Sequence, residues 1–150
     1  MQNEILAYTA GLIDGEGCIC ISMNKPSNKN ELTFNNHFLR VRIAIIDKEI
    51  VNWLKDTFGG FISNNSRCPS KRKHWKVLWA WCISSIQAKD FLKMIYPYLK
   101  IKQKQAELAI KFQENKKDML NQKRDFQIKE VNQRDWYKQE ISRLNQGSDI

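Results

Sequence analysis

The chain has 150 residues, 42% of them hydrophobic, and 25 Lys and Arg against 16 Asp and Glu give it a formal charge of +9. That length suits one domain with a sizeable core, and the basic excess points to a polyanionic partner, either nucleic acid or an anionic membrane surface. No apolar run reaches the roughly 20 residues of a spanning helix, and Met1-Gln2-Asn3-Glu4 has no basic leader character, so the expectation is a soluble intracellular protein with no membrane partner.

Residues 4–14 read as a helix, with apolar Ile5, Leu6, Leu12 and Ile13. A second stripe, Ala7, Gly11 and Gly15 with Ala10 beside it, consists of small side chains four apart, which share a helical face. Such a face admits a second backbone closely, whether from the protein's own sheet or from another chain. Asp14-Gly-Glu-Gly17 then marks a helix-to-strand junction. Ile19, Ile21 and Met23 alternate with Cys20, Ser22 and Asn24, the pattern of a half-buried strand. A polar stretch, 25–36, leads to a second strand in which Leu39, Val41, Ile43 and Ile45 alternate with Arg40, Arg42 and Ala44.

Asp47 is placed to cap a helix carrying Ile50, Val51, Leu54 and Phe58, which Gly59-Gly60 ends. A third strand is expected from Phe61 to Arg67 and a fourth from Trp75 to Ile83, joined by the basic turn 68–74. Periodicity turns the tryptophans of the fourth strand to the core, although a register slip of one residue would reverse its faces. Ser84-Ser-Ile-Gln87 resembles a capping box opening a helix that stops near Pro97, and a further helix spans 100–112. Residues 115–150 are strongly charged, with Trp136, Tyr137, Ile141 and Leu144 at helical spacing, and are expected to form one or two helices docked loosely. Lys, Asn and Ile are abundant, a bias typical of AT-rich genomes, which points to an organellar (mitochondrial or chloroplast), phage or bacterial origin.

From Thr57 to Lys89 the chain has six basic residues (Arg67, Lys71, Arg72, Lys73, Lys76 and Lys89) and no acidic one. With Arg40 and Arg42 they charge one face of the strands, which suits a DNA groove, where Arg, Asn, Gln and Lys read base edges. The alternative is an ordinary solvated sheet face. Lysines of the 71–76 turn are suited to anchoring phosphates. The four cysteines, Cys18, Cys20, Cys68 and Cys82, include no CxxC pair, and with only His37 and His74 they do not compose a zinc site. In Asp14-Gly-Glu-Gly17 two carboxylates bracket a glycine. Mg²⁺ often takes one or two carboxylates, with water and phosphate completing its shell, but one such site per chain needs a second copy to supply its partner.

Ala7-Tyr-Thr-Ala-Gly-Leu-Ile-Asp-Gly-Glu-Gly17 resembles the signature of the LAGLIDADG homing endonucleases, with Thr9 in place of the usual leucine and Glu16 as the final acid. Ile46-Asp-Lys-Glu-Ile50, Phe58-Gly-Gly60 and Tyr96-Pro-Tyr-Leu-Lys-Ile-Lys-Gln-Lys-Gln-Ala106 extend the similarity over roughly residues 4–112. The resemblance implies an α+β fold of order αββαββα, with a curved antiparallel sheet saddling double-stranded DNA. Residues 1–114 would form the endonuclease core and 115–150 a C-terminal helical extension of the same domain. It implies a homodimer, packed through Ala7, Ala10, Gly11 and Asp14, that makes a double-strand break in a long, roughly palindromic target. Mg²⁺, or another divalent cation such as Mn²⁺ or Ca²⁺, would be held by Glu16 with help from the Gly15 carbonyl. Asp47 matches a residue orienting water, beside its role as a helix cap, and Lys102 matches the active-site lysine. Ser22, Asn24, Arg40, Arg42, Ser63, Asn65 and Arg67 would face bases or backbone, with Lys71, Arg72, Lys73 and Lys76 on phosphates. Two alternatives on the same fold are an intron maturase that binds RNA and a DNA-binding protein that does not cleave; Glu16 and Lys102 favour the nuclease.

Overall fold

A computed structural model describes residues 2–24, 36–64, 76–116 and 124–147. The order is α1 (Gln2–Glu16), β1 (Gly17–Asn24), β2 (Asn36–Ile45), α2 (Lys48–Phe58), β3 (Phe61–Asn64), β4 (Trp79–Ser84), α3 (Ser85–Ile95), α4 (Gln103–Asn115) and α5 (Arg124–Asn145), with a 3₁₀ turn at Tyr96–Tyr98. The strands form one antiparallel sheet in the order β1-β2-β4-β3. This is the expected α+β arrangement, αββαββα followed by further helices.

Alternation along the strands decides which face the helices cover. Ile19, Ile21, Leu39, Val41, Ile43, Trp81 and Ile83 are buried on one face, beneath Ala10 and Ile13 of α1, Val51 and Leu54 of α2, and Phe91, Leu92 and Ile95 of α3. α4 adds Ala106, Ala109 and Phe112. Edge-to-face ring pairs run from Tyr8 through Trp53, Phe58 and Phe91 to Trp81, joining α1, α2, α3 and β4. Thr9, the departure from the leucine of the signature, is fully buried, and its hydroxyl donates to the Ile5 carbonyl at 2.7 Å, so no polar atom of it is stranded in the core.

The junctions follow from local chemistry. Asp47 caps α2, its Oδ1 accepting from the amides of Glu49 (2.9 Å) and Ile50 (3.3 Å). Gly59 ends the helix at φ +80° and its carbonyl accepts from Trp81 Nε1 at 2.8 Å. Gly60 follows at φ +85°, and a Cβ there would lie 2.4 Å from the Cys82 carbonyl oxygen, so only glycine lets β3 start against β4. Gly17 makes the other tight turn: a Cβ would lie 2.7 Å from Ile13 Cα.

Several boundaries differ from those expected. α1 runs on through Gly15 to Glu16, because the chain turns at Gly17. β4 begins at Trp79 rather than Trp75; Trp79, Trp81 and Ile83 face the core side, which resolves the register ambiguity in favour of periodicity. Ser84 does precede α3, but its side chain makes no cap hydrogen bond and Ser85 adopts φ +55°. The C-terminal segment is tied down rather than loose. Ile141 of α5 is fully buried, Asp135 Oδ1 lies 2.7 Å from Nε2 of the buried His37, and Asn145 donates to the Ile19 carbonyl at 2.9 Å on the edge strand β1. An edge strand so covered is shielded from pairing with another chain.

Candidate functional site

Glu16 is the last residue of α1, and its side chain is exposed. Ile13 and Asp14, in the same last turn, build a reciprocal clamp with Lys102 and the Lys100 amide. Asp14 does not cap its own helix. Its carboxylate reaches the segment entering α4, where Oδ2 accepts from the Lys100 amide at 2.7 Å and Oδ1 from the Lys102 amide at 3.0 Å. Lys102 answers in the other direction: Nζ donates to the carbonyls of Ile13 and Asp14, both at 2.8 Å. These carbonyls belong to the last turn of α1, where the free C=O groups and the helix dipole favour a cation. Burial pushes the Lys102 ammonium below its ordinary pKa, while the negative charges of Asp14 and Glu16 and the Cys18 thiol draw it back up.

Among the described residues no group of three or more His, Cys, Asp or Glu is arranged to hold a metal. The donor set of one chain is therefore a single free carboxylate, Glu16, since Asp14 is occupied by amides. That set fits a Mg²⁺ ion bound by one or two carboxylates and otherwise by water and phosphate, provided a second chain contributes its own Glu16.

The small-residue stripe divides between two surfaces. Ala7, Gly11 and Gly15 are exposed, and a Cβ at Gly11 or Gly15 would meet nothing within 4 Å. The protein's own sheet thus does not explain why these positions are small. Ala10 is a correction to the expected interface: it is fully buried against the core beside Ile13 and has no surface to offer a partner. Asp14 is likewise assigned to the clamp by its two hydrogen bonds.

The sheet face opposite the helices carries the candidate DNA-contacting residues. Its rows follow from the register: Ser22 beside Phe38; Cys20, Arg40 and Ser84; Cys18, Arg42, Cys82 and Phe61; Ala44, Ala80 and Ser63. Ser22, Arg40 and Arg42 are half-buried and Ser63 is exposed. Asn24 ends β1 in register with Asn36. Lys76 is exposed but precedes β4. Asn65, Arg67, Lys71, Arg72 and Lys73 lie outside the described residues. Asp47 stands between β2 and α2 with its cap role established.

Sequence reasoning passed over three thiols and two rings on this face. Cys18, Cys20 and Cys82 are free, and they flank Arg40 and Arg42. A hydrogen bond from Cys18 holds the Cys20 thiol down to about 6 against the opposing effect of burial, with Ser22 and Arg40 assisting. The Cys18 thiol is pushed up, chiefly by the same contact with Cys20. Phe38 and Phe61 share the parity of Arg40 and Ser63, so strand alternation was the signal that could have found them.

A family model described as LAGLIDADG endonuclease matches residues 9–118. The DNA endonuclease I-CreI of Chlamydomonas reinhardtii is 30% identical over 116 residues, 73% of this chain and 63% of that protein, so the chain spans less than two thirds of its relative's length. The homing endonuclease I-CvuI, solved in complex with its target and Ca, superposes with a TM-score of 0.75 at 16% identity, covering 95% of this chain and 83% of that one. The archaeal intron-encoded homing endonuclease I-Vdi141I, solved with DNA, gives 0.72 at 13% identity, covering 96% and 86%. With one copy of the signature ending in Glu16, and with a family model matched over residues 9–118, the chain belongs to the LAGLIDADG homing endonuclease family.

Proposed function

We propose that the protein is a site-specific homing endonuclease that works as a homodimer, cutting both strands of a long, roughly palindromic DNA target by Mg²⁺-dependent hydrolysis. The observation that carries this is the end of α1: an exposed Glu16, on a last turn whose Ile13 and Asp14 carbonyls hold the Lys102 ammonium, on a helix whose Ala7, Gly11 and Gly15 are open to a second copy. Residues four apart share a face, so two such helices can approach closely and bring two Glu16 carboxylates together. A twofold pair of this kind matches a twofold target.

Glu16, with the Gly15 carbonyl, would hold the divalent cation, which supplies an activated water and neutralises charge on the phosphodiester in an in-line displacement. The chain's own groups do the remainder. Lys102 keeps one Nζ proton beyond the two given to Ile13 and Asp14, and that proton is available to the phosphate oxygens as charge builds. Asp47 spends only Oδ1 on the α2 cap, leaving Oδ2 to accept from a water molecule. Arg40 and Arg42 face the major groove, positioned for the bidentate contacts arginine makes to guanine. Lys71, Arg72, Lys73 and Lys76 contribute phosphate contacts whose counterion release makes binding steeply salt-dependent.

The test is linearisation of a supercoiled plasmid carrying the uninterrupted insertion site of the gene. Wild-type protein should linearise it with Mg²⁺ and not with EDTA. Absence of cutting at every salt concentration, with retained binding, would leave the non-cleaving DNA-binding reading in its place.

A further inference from the structure

Every residue so far assigned to DNA is polar or basic, yet the outer sheet face carries a large apolar side chain that no step uses. Phe61 opens β3 and is 53% exposed. Its place is fixed by register: it stands opposite Cys82, Cys82 opposite Arg42, and Arg42 opposite Cys18. The adjacent row is Ala44, Ala80 and Ser63. Beyond Arg42 the row crosses the buried Cys82 and ends in the exposed phenyl ring, with the exposed Ser63 on the same strand in the adjacent row. Phe61 takes no part in the ring pairs that join α1, α2, α3 and β4 among the described residues. The fold does not need an exposed phenyl there, and water solvates it poorly.

The major groove presents one apolar group, the C5 methyl of thymine, and phenylalanine is among the side chains that contact it. Charge complementarity favours DNA against this face, since Arg40 and Arg42 line β2, on the far side of β4 from Phe61, and the chain carries +9. We propose that Phe61 is a specificity-determining residue whose ring packs on the thymine methyl at one position in each half of the target. The proposal rests on the reading of this face as DNA-contacting.

The test begins with selection of bound duplexes from a randomised library by wild-type protein and by Phe61→Ser, with Ca²⁺ present. Wild type should enrich thymine at one symmetric pair of positions, and Phe61→Ser should lose that preference while keeping the others. The selected duplex is then remade with deoxyuridine, which lacks only the methyl, at that thymine. Wild-type binding should weaken about fourfold per half-site, the factor for one buried methyl, while Phe61→Ser binds both duplexes alike. The deoxyuridine comparison on wild type needs no variant to fold. Equal wild-type affinity for the two duplexes at every selected thymine overturns the role of Phe61. If that selected site is nonetheless cut with Mg²⁺, the endonuclease reading stands without it; if no sequence is selected at all, both fall.

Discussion

The clamp between Asp14 and Lys102 makes the end of α1 and the start of α4 a single unit, and a double-mutant cycle measures that unity. Asp14→Ala removes the acceptor of two amide hydrogens, at 2.7 and 3.0 Å. Hydrogen bonds to a charged group contribute about 1.5–3 kcal/mol each. Lys100 is exposed, so water replaces most of its lost bond, whereas Lys102 is half-buried and its amide is served less well. The expected loss is about 2–4 kcal/mol, a fall in Tm of roughly 5–15 °C for a chain of this size. Lys102→Met removes the two bonds from Nζ but also relieves the burial of an ammonium, and should cost about 1–2 kcal/mol. Once Asp14 is gone the segment no longer holds Nζ over the Ile13 and Asp14 carbonyls. The double variant should therefore lose less than the sum of the singles, by about 1 kcal/mol or more. Urea unfolding followed by circular dichroism gives all four values. Additivity within about 0.5 kcal/mol would refute the clamp as a coupled unit.

The same geometry sets further outcomes. Gly60→Ala places a Cβ against the Cys82 carbonyl at positive φ and should destabilise the fold by about 2 kcal/mol or more; a Tm equal to wild type would show that β3 and β4 do not meet as described. Gly11→Leu should abolish dimerisation and cleavage together while leaving the monomer folded, since the Gly11 surface is open within the chain; sedimentation and cleavage assays decide it, and an active monomer would contradict the role of the stripe. Cys20, with a pKa held down to about 6 from the ordinary 9.0 by Cys18, gains its thiolate as pH rises through 6. Its alkylation by iodoacetamide, read residue by residue in a mass spectrometer, should level off near neutrality. The anion's contribution to folding is complete above 9.0 and is lost as pH falls through 6. A reaction rate still climbing towards pH 9 would contradict the described contacts of Cys20.

Local pattern carried the fold well where a single physical requirement dominated. Alternation placed Leu39, Val41, Ile43 and Ile45 towards the core and Arg40 and Arg42 outward, and the Asp47 cap and Gly59-Gly60 stop bounded α2 because both are local chemistry. It failed where distant residues decide. The partners of Asp14 are 86 and 88 residues away, so its carboxylate read only as part of the junction and of the implied interface. Ala10 counted with the small residues, yet it is turned by one position towards Ile13 and lies in the core. The helix read as ending at Asp14, but it runs to Glu16, and the steric limit falls at Gly17, against the backbone of Ile13. The burial of α5 depended on His37 and Ile19 far upstream, which a charged, weakly periodic segment does not reveal. In the site, Glu16 and Lys102 were legible through the resemblance, and the reach of Lys102 to the last turn of α1 came only from the folded chain.

With Glu16 the one free carboxylate at the end of α1, the proposed cutting centre takes two chains, and subunit mixing tests this most directly. Wild-type protein and Glu16→Gln are unfolded together, refolded at varied ratios with total protein constant, and assayed for linearisation of the target plasmid with Mg²⁺. If both copies must supply Glu16, activity should follow the square of the wild-type fraction, about a quarter at equal mixing. Activity falling only in proportion to the wild-type fraction, or Glu16→Gln cutting as well as wild type, would contradict a centre built from two Glu16 carboxylates.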